Sequence, residues 1–317
     1  MPTIAVVGEV VADAVLPPDG IVEGAAHLTV HPGGGPANTA VALSRLGSTA
    51  RFAARLSGGA LGALCRAKLE ASKVDLSAAE NAVEPATLAI ARLDATGAAS
   101  YEFYTEGTAD WAWTDASLAK LIDGPFGGQT PPVAVHTGSL ALAIQPSGQV
   151  IENLLARARG AMTISIDPNL RPLLVPVTSY RLWIDRWAGL ADILRLSEDD
   201  LDLLWPGWTP EQAATHLHAC GVPLAVVSLG GDGAFASLRG EQVRVPIAPT
   251  TLVDTVGAGD SFHGGLLHFL AQAGQLGGRL EDLTVDALTQ VLAFASRVSA
   301  INCSRAGANP PWASELG

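Results

Sequence analysis

Lysine is nearly missing from this chain of 317 residues. Only Lys68, Lys73 and Lys120 occur, and none stands in a Gly-x-x-x-x-Gly-Lys-Ser/Thr string. That excludes a P-loop, whose lysine reaches the outer phosphates of a nucleotide. Cysteine is equally scarce: Cys65, Cys220 and Cys303 are widely spaced, with no Cys-x-x-Cys pair. Scattered cysteines in odd number exclude a disulfide framework and fit a reducing compartment. The string His216-Leu-His-Ala-Cys220 has metal-binding residue types, but without further ligands it reads as an ordinary helix surface. No Gly-x-Ser-x-Gly occurs, and Asp260, Ser261 and His263 crowd one helical turn, where triad geometry is impossible. Basic charge is short as well, with 19 Lys and Arg against 31 Asp and Glu, a net charge of -12. That balance argues against a nucleic-acid surface or an anionic-membrane partner. Long hydrophobic runs are lacking too. Glu9 and Asp13 interrupt the first apolar stretch and no basic segment precedes it. Neither a secretory leader nor a membrane span is expected, and the expected location is the cytoplasm.

What is present is alternation. Ile4–Val7, Val133–His136, Met162–Ile166, Ile193–Leu196 and Leu224–Leu229 are apolar runs of buried-strand length. Helical patterns fall between them, for example Ala37–Leu46, Leu61–Lys73, Gly148–Arg159, Pro210–Ala219 and Val291–Ile301. This order predicts an α/β fold, a mostly parallel sheet with helices on both faces. No linker rich in Pro, Gly and Ser divides the chain and no repeat appears, so residues 1–317 are read as one domain. Two segments break the rhythm. Residues 10–32 read as extended chain with turns. Residues 86–105 read as a hairpin: Thr87–Leu93, a turn at Asp94-Ala-Thr-Gly97, then Ala98–Thr105. Together they predict a small sheet projecting from the main body.

The most informative stretch is Asp254-Thr-Val-Gly-Ala-Gly-Asp-Ser-Phe-His-Gly-Gly265. Gly257, Ala258 and Gly259 leave amides uncovered where a helix begins; Phe262, Leu266, Phe269, Leu270 and Ala273 mark its apolar face, and Gly274 its stop. Unpaired donors and the positive end of the helix dipole make an anion site. Asp260, in the first turn, is a carboxylate base beside that anion, the pairing that phosphoryl transfer to a hydroxyl requires. A lone Gly-x-Gly-Asp is also simply a glycine turn with an acid stabilising the helix start.

The whole string resembles the signature of the PfkB/ribokinase family of sugar kinases. The resemblance runs from Gly8 to Pro311 and implies a ribokinase-like three-layer α/β/α sandwich with a small β-sheet lid. That lid covers the sugar and often pairs with a second subunit, so a homodimer through the lid is implied. The resemblance also implies Asp260 as catalytic base, with Gly257, Ala258 and Gly259 as the anion hole for the transferring phosphate.

Further motifs extend the comparison. His31-Pro-Gly-Gly-Gly-Pro-Ala-Asn38 opens a helix, and alone it is equally a plain loop-to-helix entry. It is similar to the family's Gly-Gly-x-x-Ala-Asn, which implies that Gly33, Gly34 and Asn38 hold sugar hydroxyls. Asp13 matches the family's other hydroxyl-binding carboxylate. Asp167-Pro-Asn-Leu-Arg171 follows a strand end, where sites of open parallel sheets gather. Asp167 reads as a turn cap, and Arg171 as a fork for phosphate oxygens. The family's Asp-Pro-Asn-x-Arg is matched in full, which puts Asn169 on the nucleotide side.

Ser197 and Asp200 have the form of a capping box. The family carries Asn-x-x-Glu there, near the magnesium shell, which implies Ser197 beside the nucleotide and Asp200 as an indirect metal contact. Ser228-Leu-Gly-Gly-Asp-Gly233 reads as a hairpin turn. It resembles the family's nucleotide-side Thr-x-Gly-x-x-Gly, with Ser228, Gly230 and Gly233 in place. Asn302 begins a run that looks like the adenine-side loop.

Tyr101-Glu-Phe-Tyr-Thr-Glu-Gly-Thr-Ala-Asp110 looks like a stretch of bacterial fructokinases, with Thr105 where arginine is usual, and it brings Phe103 to the substrate side. The implied activity is transfer from Mg-ATP to a primary hydroxyl of a ketose, fructose first. 2-Keto-3-deoxygluconate or another ketose comes second, ribose or a nucleoside third. Dependence on K+ is left open. The reading of a different class is a sugar- or nucleotide-binding sensor without turnover, which Ser197, Asp200 and Thr105 keep open.

Overall fold

A computed structural model describes residues 2–94, 99–123 and 131–317. Its main sheet has eight strands in the spatial order Glu241–Val245, Ala234–Leu238, Leu224–Ser228, Ile193–Ser197, Thr163–Asp167, Pro132–Gly138, Thr3–Val7 and Thr49–Ala53. Neighbours from Leu224–Ser228 to Thr49–Ala53 pair in parallel, while the first two strands add an antiparallel edge. The five strands expected from apolar runs are all present, each within two residues of its expected ends.

Their residues alternate between two cores, as period two demands. Ala5, Val7, Val135, Ile164, Ile166, Leu194, Leu196, Ala225 and Val227 join one apolar cluster. Ile4, Val6, Ala134, Ile193, Leu224 and Val226 join the other. Helices Ser147–Ala158, Val177–Leu190, Glu198–Leu204 and Pro210–Ala219 pack on the first face, with Tyr180 and Trp187 buried between them. Helices Gly35–Arg45, Ala60–Ala71, Ala258–Gln272 and Val285–Cys303 pack on the second. The result is the expected three-layer α/β/α arrangement. Each fully buried Leu, Ile or Phe contributes roughly 1.5–3 kcal/mol, so this double core dominates stability.

A separate sheet has four strands ordered Ala99–Tyr104, Leu88–Leu93, Val11–Leu16 and Thr29–Gly33. Both segments that broke the βα rhythm therefore meet in it. Of the expected hairpin turn, residues 95–97 lie outside the described residues. Asp110 ties this sheet to the body: its carboxylate accepts from the Val10 amide at 2.9 Å and the Thr87 hydroxyl at 2.6 Å. Among the described residues no helix is long and apolar enough to cross a membrane.

Candidate active site

The carboxyl ends of the parallel strands all open toward one edge, and the N-terminus of helix Ala258–Gln272 meets them there. Gly257 caps that helix in the left-handed region (φ +73) with no side-chain cap. A Cβ at Gly257 would lie 2.6 Å from the Ala308 Cβ, so both conformation and space demand glycine. Among the described residues, no acceptor meets the amides of Gly257 and Gly259. The Ala258 amide donates to the Thr255 carbonyl at 3.1 Å. Of the three expected cradle amides, Ala258 here closes the turn, and Gly257 and Gly259 are the open donors.

Asp260 follows in the first helical turn. The Asn38 side-chain amide donates to its Oδ2 at 2.9 Å, across 222 residues of sequence. Burial pushes its carboxyl up to about 6, against the pull of that hydrogen bond and of Arg171 and Arg195, while Asp167 adds to the rise. Asp260 thus ionises near neutrality and can take up a proton there, as a general base must. It lines an open pocket of about 170 Å³ with Gly35, Thr39, His136, Ser139, Asp167 and Asn169. Gly35 permits the close approach, since a Cβ there would lie 3.0 Å from the Asn169 amide nitrogen and 3.4 Å from Asp260 Oδ1.

Asp13 projects from the small sheet toward the same edge. Its Oδ2 lies 1.9 Å from where a Gly33 Cβ would be, so glycine leaves Asp13 its place beside the backbone. Burial pushes Asp13 up to about 6, moderated by the charges of Arg171 and Lys68. Gly34 (φ +101) lets the backbone turn against the Glu9 carbonyl into the helix of Asn38. Asp13 pairs in register with His31 on one side and Ala89 on the other, and Ala89 with Phe103. Cross-strand partners share a face, so Phe103 lies in the row of Asp13. A second pocket of about 180 Å³, lined by Val10, Pro32, Gly33, Asn38, Cys65 and Lys68, adjoins this row.

Arg171 curls over its own loop, donating to the Asn169 Oδ1 at 2.6 Å and the Leu170 carbonyl at 2.9 Å. Its charge acts on both Asp13 and Asp260. Asn169 itself, at φ +43, faces the Asp260 pocket.

Other expected residues have different duties. Asp200 is 4% exposed and accepts from the Leu170 amide at 2.8 Å, the Ser197 amide at 3.0 Å and the Ser197 hydroxyl at 2.7 Å. Ser197 in turn caps helix Glu198–Leu204. Both oxygens of Asp200 fasten the 167–171 loop to that helix, in the capping box expected of Ser197 and Asp200. Asn302 is fully buried, donating to the Val256 carbonyl at 2.9 Å and accepting from the Asn309 amide at 2.7 Å. It clasps the loop before Gly257. Gly230 (φ +51) and Gly233 (φ +89) shape the turn after Ser228. A Cβ at Gly233 would fall 2.1 Å from the Val245 carbonyl, whereas Gly230 faces open space where a flat ligand can lie.

The sequence reading overlooked Arg195. It is 5% exposed, donates to Asp167 Oδ2 at 2.8 Å and to the Ser228 hydroxyl, and sits 2.7 Å from where a Gly259 Cβ would be. Burial opposes its charge, and the carboxylates of Asp167, Asp200 and Asp260 more than offset that. A fixed cation thus lies directly behind the open amides. Beside it, the Ser165 hydroxyl links His136 Nδ1 at 3.2 Å and His263 Nε2 at 2.6 Å. Burial keeps both imidazoles neutral, His136 down to about 3 and His263 well below its usual value. A charged residue inside an apolar strand such as Ile193–Ser197 is the sequence signal that marks Arg195.

The profile of the pfkB family carbohydrate kinases matches residues 1–315. A fructokinase of Rhizobium leguminosarum bv. trifolii is 36% identical over 236 residues, covering 74% of this chain and 70% of that protein. Among solved structures, the fructokinase of Xylella fastidiosa with bound ATP superposes with a TM-score of 0.85 at 25% identity, covering 99% and 96% of the two chains. The Vibrio cholerae O395 fructokinase, bound to fructose, ADP and calcium, gives 0.77 at 25% identity, covering 97% and 94%. Fold, site geometry and profile agree: this chain belongs to the pfkB family of carbohydrate kinases.

Proposed function

We propose that this chain is an ATP-dependent fructokinase working as a single domain over residues 1–317, with the small sheet as a lid over the sugar. The observation that carries it is the Asp260 carboxylate, held by Asn38 in the first turn of a helix whose leading amides are open. Asp260 accepts the proton of a primary sugar hydroxyl as that oxygen attacks the outer phosphorus of ATP. The Gly257 and Gly259 amides, with Arg171 and Arg195 around them, stabilise charge on the transferring oxygens. Asp13 and Asn38 orient the sugar hydroxyls, and Gly33 lets them approach; Phe103 closes the far end of the row. Gly230 and Gly233 give the nucleotide a flat backbone surface.

A magnesium ion bound with ATP would neutralise charge on its phosphate oxygens. Asp167 fits such an ion: its Oδ1 is buried without a hydrogen-bond partner while Oδ2 is paired with Arg195. It would hold the ion through water. The exposed apolar side chains Ile21, Val22, Leu28, Tyr101 and Tyr104 lie on the small sheet and the hairpin beside it, which supports a homodimer through the lid. The cytoplasm, where ATP is plentiful, suits this activity and the free thiols.

Sugar-dependent ADP release tests the reading, with fructose, 2-keto-3-deoxygluconate, ribose and adenosine compared side by side. Fructose should give the highest kcat/KM. Binding of sugar and ATP without ADP release for any acceptor would replace the kinase with a sensor.

A further inference from the structure

The string His216-Leu-His-Ala-Cys220 looks incomplete as a metal site in sequence, and folding supplies the missing donor. His216 lies on helix Pro210–Ala219, and Cys220 caps its C-terminus four residues later, on the same side of the helix. Asp185 reaches them from the neighbouring helix Val177–Leu190. His216 Nε2 is 2.7 Å from Asp185 Oδ1 and 3.8 Å from Cys220 Sγ, and the nitrogen, oxygen and sulfur all lie within 4.8 Å of one another. None of the three lines either pocket of the active-site edge.

We propose that Asp185, His216 and Cys220 form a binding site for a thiophilic divalent cation of the zinc class, with solvent as its fourth ligand. Imidazole, thiolate and carboxylate are the donors zinc prefers, and sulfur disfavours magnesium and calcium. Tetrahedral zinc with its usual bond lengths sets nitrogen and sulfur about 3.6 Å apart, near the observed 3.8 Å. Nitrogen and oxygen belong about 3.4 Å apart, so Asp185 must withdraw by about 0.7 Å, which a half-exposed side chain can do. One imidazole nitrogen facing both other donors is the arrangement that coordination needs, and the Cys220 thiol, hydrogen-bonded to Asp185, is held on the same spot.

The site is also braced. The rings of Trp205 and Trp208 stack on each other and meet the His216 ring edge-on, with centroids 5.3 and 5.7 Å away. They fix the imidazole plane without using its nitrogens. A bound ion would join two helices that cover the same face of the sheet. Binding moves the thiol proton to solvent and the imidazole proton to Nδ1, so affinity rises with pH.

Cobalt(II) added to the reduced, full-length protein is the direct probe. A thiolate-to-cobalt absorption band should appear at one equivalent, disappear when zinc is added, and be accompanied by quenching of tryptophan fluorescence. Cys220→Ser should abolish the band, while His216→Gln and Asp185→Asn should each weaken binding roughly 10–100-fold or more. Asp260→Asn should leave the band untouched, separating this site from any metal held with the nucleotide. Absence of the band at excess cobalt, its survival in Cys220→Ser, or unchanged affinity in both other variants would overturn the proposal.

Discussion

Replacing Asp260 with asparagine keeps the size and hydrogen-bonding shape of the side chain and removes only its charge. Asn38 still finds an oxygen to donate to, so the local geometry survives. Two opposite effects follow. The base is gone, which should reduce kcat about 10²–10⁴-fold with little change in fructose KM. Stability should move the other way, because burial raises the Asp260 carboxyl from 3.8 to about 6. The folded chain binds that proton more tightly than the unfolded chain. Its contribution is therefore most favourable below about pH 4, declines as pH rises toward about 6, and stays at its least favourable above. Two units at about 1.36 kcal/mol each give ~3 kcal/mol of destabilisation at neutral pH, a ceiling because Asp260 keeps some contact with water.

The assay is a pair of measurements on wild type and variant: kcat with saturating Mg-ATP and fructose, and denaturant unfolding from pH 4 to 8. The difference in stability should favour the variant by up to ~3 kcal/mol at pH 8 and vanish near pH 4. In the wild type, kcat/KM should fall on the acid side of about 6, where Asp260 and Asp13 both take up protons. A variant that keeps a tenth of wild-type kcat, or that is less stable than wild type at pH 8, would refute the reasoning.

Three further substitutions probe the rest of the site. Gly33→Ala places a methyl group 1.9 Å from Asp13 Oδ2; sugar KM should rise sharply with ATP KM unchanged, read from initial rates. Gly259→Ala pushes a Cβ against Arg195, 2.7 Å from one guanidinium nitrogen; kcat should drop while fructose binding by calorimetry is preserved. Arg195→Met strands the buried Asp167 carboxylate and should cost roughly 3–5 kcal/mol in denaturant unfolding, with Arg195→Lys milder.

The parts of the fold visible in sequence are those whose signal is local. Strands such as Leu224–Ser228 are apolar on both faces and bounded by turn residues, so their runs stand out. Thr49–Ala53 does not stand out, because Arg51 interrupts it; that buried charge pairs with Asp75 at 3.1 Å, which no local pattern displays. The edge hairpin Ala234–Leu238 and Glu241–Val245 follows the glycine turn read after Ser228, but its antiparallel pairing is a property of the sheet. Segments 10–32 and 86–105 could be grouped only as exceptions to the βα rhythm, whereas the parallel pairing of Val11–Leu16 with Leu88–Leu93 joins strands more than 70 residues apart.

The site divides in the same way. Asp260 and its glycines are legible because the chemistry requires them side by side in one turn, so the string itself is the device. Arg195 and His136 reach that string from distant strands, and nothing adjacent to them in sequence betrays the link. Asp200 and Asn302 show the structural duty that a matched position also carries. A resemblance carries residue types at matching positions, but a carboxylate or amide whose every polar atom already has a protein partner has little left to offer a ligand. Asp260 and Asp13 differ in just this respect: each keeps an oxygen without a protein partner among the described residues, and burial raises the free energy of the charge it carries. That unrelieved cost, located where amides and guanidinium groups converge, separates groups that act on a substrate from groups that hold the fold around it.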